Sequence, residues 1–214
     1  EERFPLSISF CEESSLLQLN ETVDKEALFD HYVWVTGTSK TTQSYANAFA
    51  DRLISNLDLK QEDFIIEIAS NDGTFLNPFL TKGYKNVLGV DPAKNIAEIA
   101  NRNGVNTLPE FWSSSLANQI IADSGQAKVV FARNVIPHVS ELLDVLRGIK
   151  FVLKDDGVGI IEFHDAGIIL KELHFDSIYH EHLCYFSIES MTYLLNRFAL
   201  HPFHIEKSPI SGGS

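Results

Sequence analysis

Short apolar runs alternate with stretches of helical periodicity between residues 64 and 163, and this rhythm constrains the fold more than any other feature. Four of the apolar runs predict strands, at residues 64–68, 86–90, 128–132 and 158–163. Continuous apolar strands are typical of a parallel sheet, because helices cover both of its faces and neither face meets water. The sequence therefore predicts an α/β fold with a doubly wound, mostly parallel sheet and helices on both faces.

Helical periodicity fills the intervals between these strands and extends beyond them. The predicted helices cover residues 44–57, 75–81, 94–103, 141–153 and 189–198, and a shorter helical pattern covers residues 25–29. Glycine or an Asp-Asp-Gly turn closes two of them, as expected at helix ends. With 214 residues, the chain can form one well-buried domain with extra segments, or two small domains.

The bulk composition narrows the classes of function. A net charge of -12 argues against binding to a phosphate backbone, which normally requires a basic surface, although acidity alone is also explained by solubility. No stretch approaches the roughly 20 apolar residues that cross a bilayer, and the N-terminus does not resemble a signal peptide. Two cysteines, Cys11 and Cys184, give no disulfide framework. We predict a cytoplasmic protein that acts on a small molecule, with no nucleic-acid or membrane partner.

A polar turn at residues 67–73 follows the first predicted strand, and Asp91 ends the second. In doubly wound sheets, ligands bind beyond the carboxyl ends of the strands where the strand order reverses. Gly73 permits close backbone approach, and the Asp91 carboxylate can accept hydrogen bonds from both hydroxyls of a ribose. NAD-binding folds use the same acidic residue, so Asp91 alone does not select the cofactor.

The chemistry of the turn selects the cofactor. Dinucleotide-binding folds place three glycines here because a pyrophosphate presses against the backbone. This turn has one glycine, and it carries the acidic or polar side chains of Glu67, Asn71 and Asp72. Negative side chains repel a pyrophosphate but attract sulfonium and ammonium groups, which predicts S-adenosylmethionine. The alternative is that Glu67 and Asp72 serve only turn and capping chemistry.

Several phrases of the sequence resemble the sugar C-methyltransferases, which methylate nucleotide-linked keto-deoxysugars on carbon. They lie at residues 67–76, 88–92, 132–139 and 179–187, and the last, Tyr-His-Glu-His-Leu-Cys-Tyr-Phe-Ser, is the most specific. Residues 28–39 are similar to the linker that leads into the methyltransferase core of this family. The resemblance spans nearly the whole chain and implies a class I methyltransferase (Rossmann-like) fold that binds S-adenosylmethionine.

The resemblance also implies site residues. The cofactor-binding set is Glu67, Ala69, Ser70, Asn71, Asp72, Gly73, Asp91, Pro92, Asn134, Val135, Tyr32 and Ser39. The expected catalytic residues are His182, Tyr179, His138 and Glu181. Methylation of a carbon beside a ketone needs a base for the α-proton and a donor for the enolate oxygen. A histidine suits the role of the base, and a tyrosine or a second histidine can donate to the enolate oxygen. A glutamate can orient the imidazole.

The sequence also departs from the family. Members typically begin with a four-cysteine zinc module, of which only Cys11 is recognisable, with Ser14 at its partner's position. Since a serine hydroxyl is a poor zinc ligand, we predict no bound metal. Ala69 replaces a glycine of the cofactor turn, and Trp34 replaces a tyrosine.

The resemblance suggests a division of the chain into three parts. They are a remnant of the zinc-module-like segment with its linker (1–43), a methyltransferase core that includes the histidine-rich insertion (44–206), and the start of a missing C-terminal domain (207–214). Both ends read as interrupted, so we expect a fragment.

Other interpretations stay open at this point. The chain is alternatively an O- or N-methyltransferase for another small molecule, or a non-catalytic remnant that binds S-adenosylmethionine. His138 alone is equally well explained as a surface or core histidine, and His180 is better explained as a surface residue. Tyr185, Phe186 and Cys184 are expected in the core. The sequence does not specify the sugar, the methylated position, the stereochemistry or the oligomeric state.

Overall fold

A computed structural model of the protein describes residues 4–23, 33–210 and 212–214. The helical pattern at residues 25–29 and the predicted cofactor residue Tyr32 lie outside the described residues. The strands in chain order are β1 (Ile8–Cys11), β2 (Leu16–Leu19), β3 (Ile65–Ile68), β4 (Val87–Val90), β5 (Thr107–Leu108), β6 (Ala127–Arg133), β7 (Leu153–Glu162) and β8 (Cys184–Tyr185). The helices are α1 (Lys40–Asn56), α2 (Asn77–Thr81), α3 (Lys94–Arg102), α4 (Ser114–Ser124), α5 (Leu142–Val152), α6 (Ala166–Lys171) and α7 (Ile188–Asn196).

A five-stranded parallel sheet forms the centre of the structure, in the order β5-β4-β3-β6-β7. All four residues of β3 are buried, as expected for a strand covered on both faces. Ile66 and Ile68 pack into one apolar cluster with residues of α4, α5 and α7, and Ile65 packs into another with residues of α1 and α2. The predicted doubly wound α/β fold with helices on both faces is therefore confirmed.

Most predicted elements are present, with shifted ends. Helix α1 begins four residues before the predicted position because the Ser39 hydroxyl accepts a hydrogen bond from the Thr42 N–H, which caps the helix at residue 39. Strand β7 begins at Leu153 rather than at residue 158, because Leu153 pairs with Ala127 ahead of an irregularity in the register. Elements α4, α6 and β5 were not predicted.

A second sheet, antiparallel and in the order β1-β2-β8, was not predicted either. It joins the N-terminal segment to the histidine-rich segment, since Leu17 pairs with Tyr185 and the Leu19 N–H donates to the Leu183 carbonyl over 2.9 Å. Leu19 and Tyr185 are both buried, together with Ala166 and Ile169 of α6. The N-terminal segment therefore supports the segment that carries the predicted catalytic residues.

The described part of the chain contains no helix with the length and apolarity needed to span a membrane. Its histidine, cysteine and acidic side chains form no group of three or more that could hold a metal ion. Helix α1 crosses the first of the two predicted domain boundaries, because it begins at Lys40. The division into three parts stays a prediction.

Candidate active site

A cavity of about 590 Å³ opens at the carboxyl ends of β3, β4 and β6, where the strand order reverses. Ten of the predicted site residues line it: Ala69, Asn71, Asp91, Pro92, Asn134, Val135, His138, Tyr179, Glu181 and His182. Five others do not line it: Ser39, Glu67, Ser70, Asp72 and Gly73. The topology therefore brings the two distant sequence motifs, one for the cofactor and one for chemistry, to the same cavity.

The cofactor turn after β3 uses left-handed backbone at three positions. The φ angles are +54° at Ala69, +49° at Asn71 and +80° at Gly73. Glycine and asparagine adopt this conformation readily, whereas alanine does so at a cost of roughly 1–2 kcal/mol. At Gly73 a Cβ would lie 2.7 Å from Val105, so a side chain does not fit there. Ala69 therefore strains the turn, whereas glycine at this position would not.

Replacing Ala69 with glycine is expected to raise the free energy of unfolding by about 1 kcal/mol, because glycine relieves the left-handed strain. Urea denaturation measures the change. Ala48 is a matched control, since it lies exposed in the middle of α1, and Ala48→Gly should lower the free energy of unfolding by about 1 kcal/mol. A loss of stability in Ala69→Gly would contradict the assignment of strain.

Asp91 lies directly after β4 and is 5% exposed. Its carboxylate accepts hydrogen bonds from the Asn71 N–H over 2.8 Å and from the Ala93 N–H over 3.0 Å. Burial raises the pKa of Asp91, and these two hydrogen bonds oppose that rise. Each carboxylate oxygen keeps a second lone pair, so Asp91 is able to accept hydrogen bonds from a ligand in the cavity.

The side chains of Asn71 and Asp72 hold the linker that precedes α1. The Asn71 amide accepts from the Thr36 N–H over 2.9 Å and donates to the Trp34 carbonyl over 3.0 Å. Asp72 accepts from the Gly37 N–H over 3.0 Å. Its second oxygen accepts from the backbone and side chain of the residue two positions later. Of the two roles weighed for Asp72, these contacts match turn and capping chemistry, because the carboxylate points to the linker rather than into the cavity.

Glu67 is 3% exposed, and its Oε2 has no hydrogen-bond partner among the described residues. Burial raises its pKa well above the ordinary value, and repulsion from Asp91 and Asp72 adds to the rise, while Arg133 opposes it. An unsatisfied carboxyl beside the cofactor turn is costly unless a donor or a cation compensates it. Glu67 does not line the cavity, so Asp91 is the acidic residue of this pair that a cationic ligand such as S-adenosylmethionine would meet.

A buried ion pair that was not predicted lies at the cavity wall, and one of its partners, Arg133, lines the cavity. Arg133 ends β6 and donates from Nε to Glu162 at the end of β7 over 2.8 Å, with each side chain 9% exposed. The guanidinium carbon lies 3.5 Å from the centroid of the Phe75 ring. The available signal was one charged residue at the end of each of two predicted strands, Arg133 directly after residues 128–132 and Glu162 within residues 158–163.

The histidine-rich segment fixes His182 in one tautomer. Its Nδ1 lies 2.8 Å from the Ser177 carbonyl, which can only accept, so Nδ1 carries the proton of the neutral ring. Nε2 then holds a lone pair, and the Tyr179 hydroxyl donates to it over 3.2 Å. The Ser177 carbonyl therefore orients the His182 ring, while Glu181 lines the cavity and its orienting role stays a prediction.

His138 lies against His182, with 4.7 Å between the ring centroids. Burial, and secondly His182, lower the pKa of His138 to about 4, while burial lowers the pKa of His182. Both rings are therefore neutral at neutral pH, and His182 has a lone pair available as a base.

Three neighbours of this cluster serve other purposes. His180 lies outside the cavity lining, and its Nε2 is 2.9 Å from the Pro5 carbonyl, in agreement with a surface role. Burial raises the pKa of the Cys184 thiol to about 11, as expected for an inert, half-buried cysteine. Tyr185 is 4% exposed, and burial raises its pKa to about 12, so it stays protonated.

Residues 42–201 match the family described as "Methyltransferase domain". The chain belongs to this family. Its fold agrees with solved structures of the class. One is a SAM-dependent methyltransferase from Archaeoglobus fulgidus, with a TM-score of 0.59, 14% identity and coverage of 73% of this chain and 68% of that chain. Another is magnesium protoporphyrin IX methyltransferase (ChlM) from Synechocystis PCC 6803 with bound SAH, with a TM-score of 0.60, 13% identity and coverage of 78% and 77%.

A curated relative is the C-methyltransferase NovU from Streptomyces niveus. It is 31% identical over 211 residues, which cover 99% of this chain and 50% of NovU, so the chain spans half the length of that relative. The chain therefore belongs to a methyltransferase family and has the fold of solved methyltransferases, as predicted.

Proposed function

We propose that the protein transfers a methyl group from S-adenosylmethionine to a carbon atom beside a ketone, in a nucleotide-linked keto-deoxysugar. The observation that carries the proposal is the neutral His182, whose unprotonated Nε2 lies at the cavity with the Tyr179 hydroxyl on it. A carbon acid needs such a base to lose its α-proton, and only this reaction exchanges an α-hydrogen, whereas a hydroxyl acceptor would lose its own proton to the base. The similarity to NovU, whose name describes a C-methyltransferase, supports the same choice.

The residues divide into two groups. Asp91 and the turn at residues 69–71 would hold the cofactor, with Asp91 at the cavity wall beside its positive charge. The cofactor supplies an electrophilic methyl group bound to a sulfonium. Asn134 and Val135 line the cavity after β6 and would contact the cofactor on the side of the histidines.

The base step uses three side chains. His182 Nε2 accepts the α-proton of the acceptor, and the electron pair of the broken C–H bond moves toward the carbonyl oxygen. The Tyr179 hydroxyl, released from Nε2, donates a hydrogen bond to that oxygen. The Ser177 carbonyl holds Nδ1–H throughout and stabilises the imidazolium that forms. His138 packs against the ring and keeps it in place.

Exchange of substrate hydrogen with solvent tests the base step. The protein is incubated in deuterated water with S-adenosylhomocysteine and a nucleotide-linked keto-deoxysugar, and the α-hydrogen signal is followed by NMR. We expect the signal to disappear with wild-type protein and to persist with His182→Asn. Methylation of an oxygen or nitrogen without α-exchange would overturn the proposal. Calorimetry that detects binding of S-adenosylmethionine, without exchange or methylation, would favour the non-catalytic remnant.

A further inference from the structure

Two histidines outside the proposed base step form a connected pair at the wall of the same cavity. His164 lies two residues after the end of β7 and lines the cavity. Its Nε2 lies 3.2 Å from Nδ1 of His174, with 5.3 Å between the ring centroids. Behind His174, its Nε2 lies 3.2 Å from the carboxylate of Glu172, an exposed residue. This series of contacts leads from solvent to the cavity.

The Glu172 carboxylate at the end of this series determines which atom donates and which accepts in each hydrogen bond. An ionised carboxylate only accepts, so His174 Nε2 carries a proton that it donates to Glu172. In the neutral ring, Nδ1 of His174 then holds a lone pair and accepts from the Nε2–H of His164. His164 Nδ1 therefore has a lone pair as well, and it accepts from the Ser177 hydroxyl over 3.4 Å. Burial, followed by the charges of His174 and His182, lowers the pKa of His164, which favours its neutral form.

Ser177 connects this pair to the base. Its hydroxyl contacts His164, while its backbone carbonyl receives the Nδ1–H of His182 over 2.8 Å. Ser177 lies in a single 3-10 turn at Phe175–Ser177, between α6 and the Tyr179–His182 contact. The turn belongs to no sheet or long helix, so a side-chain anchor has a direct effect on where the carbonyl points.

We infer that His164, backed by His174 and Glu172, is a positioning residue that anchors Ser177 and thereby holds His182 in the tautomer with Nε2 unprotonated. The inference rests on the proposed function for its kinetic consequence, because it assumes that His182 is the base. Its structural consequence, the tautomer of His182, is independent of the substrate and of the reaction.

The tautomer is measured by NMR on protein labelled with ¹⁵N in its histidine rings, without substrate, and His182 is assigned by comparison with His182→Asn. We expect one neutral tautomer, with Nδ1 protonated, in the wild-type protein. In His164→Leu and in Ser177→Ala we expect a mixture of the two tautomers. Ser177→Ala is the gentler change, since it removes the hydroxyl and keeps the carbonyl. His201→Leu is the matched control, because His201 is exposed and contacts Asn196 instead of the cavity.

A double-variant comparison tests whether both residues act through one contact. The kcat of each single variant is expected to be about 10- to 100-fold lower than that of the wild-type protein. The kcat of the variant with both changes should be no lower than that of either single variant. Binding of S-adenosylmethionine should be unchanged in all three. An unaltered His182 tautomer in folded Ser177→Ala and His164→Leu would overturn the inference. Altered tautomers with an unaltered kcat would instead overturn the base role of His182 and leave the positioning role standing.

Discussion

Replacing His182 with asparagine is expected to lower the rate of methyl transfer by about 10²–10⁴-fold, the usual effect of losing a general base. Asparagine keeps a side chain of similar shape but has no lone pair of comparable basicity to accept the α-proton. Binding of S-adenosylmethionine should be unchanged, because the cofactor turn and Asp91 lie on other strands. Single-turnover kinetics and calorimetry measure the two quantities separately.

The pH dependence of the same reaction gives a second check on this prediction. Burial lowers the pKa of His182, so its ring stays neutral below the ordinary histidine pKa of about 6.5. The rate should therefore persist below that pH and fall only as the pH drops through the lowered pKa, where the base becomes protonated. His180→Asn is the control, since His180 contacts the Pro5 carbonyl and does not line the cavity. Full turnover by His182→Asn would remove His182 from the mechanism.

Replacing Arg133 with methionine is expected to lower the free energy of unfolding by about 3–5 kcal/mol, as when one partner of a buried ion pair is removed. Glu162 would keep its hydrogen bonds from Asn134 and Ser208 but lose its counter-charge. Urea denaturation measures the loss. Arg197→Met is the control, because Arg197 is exposed and makes no ion pair with another described residue, and its effect should be within about 0.5 kcal/mol.

The decrease in the free energy of unfolding that Arg133→Met causes should also become larger as the pH rises. Arg133 lowers the pKa of Glu67, so its removal raises further a pKa that burial already holds well above the ordinary value. Between the ordinary and the raised pKa, the folded state binds more protons than the unfolded state, so stability falls as the pH rises through this window. A loss that stays constant across the window would show that Arg133 acts on Glu162 alone.

The central sheet was predictable because its signal is local. Each of the four predicted strands is a short, continuous apolar run. Such a run indicates a strand that is buried on both faces, as β3 and β4 are. Helix α4 gives a weaker pattern, because it has few buried apolar residues and an asparagine and a glutamine interrupt them; they are Leu116, Ala117 and Ile120. Strands β1 and β2 pair locally as a hairpin, but β8 pairs with β2 across more than 160 positions, and no local pattern encodes that pairing.

Some residues of the candidate site were predictable from local sequence patterns, and others were not. Asp91 and Ala69 follow predicted strands, so the parallel topology placed them at one edge of the sheet before the structure was known. The bond from His182 to the Ser177 carbonyl was not predictable, because a backbone acceptor has no signature in the side-chain sequence. The pairing of Arg133 with Glu162 needs the register of β6 and β7, in which these two residues lie opposite each other.

The contacts between the linker and the cofactor turn also restrict how the sequence can change over evolutionary time. A Cβ at position 37 would lie 2.5 Å from the Asp72 carboxylate, so any residue larger than glycine there requires a different residue at position 72. The Asn71 side chain forms hydrogen bonds with two backbone groups of the linker, so this position requires a side chain that both donates and accepts hydrogen bonds. Among homologues, substitutions in the linker and in the turn should therefore occur together, although the two segments are more than 30 residues apart.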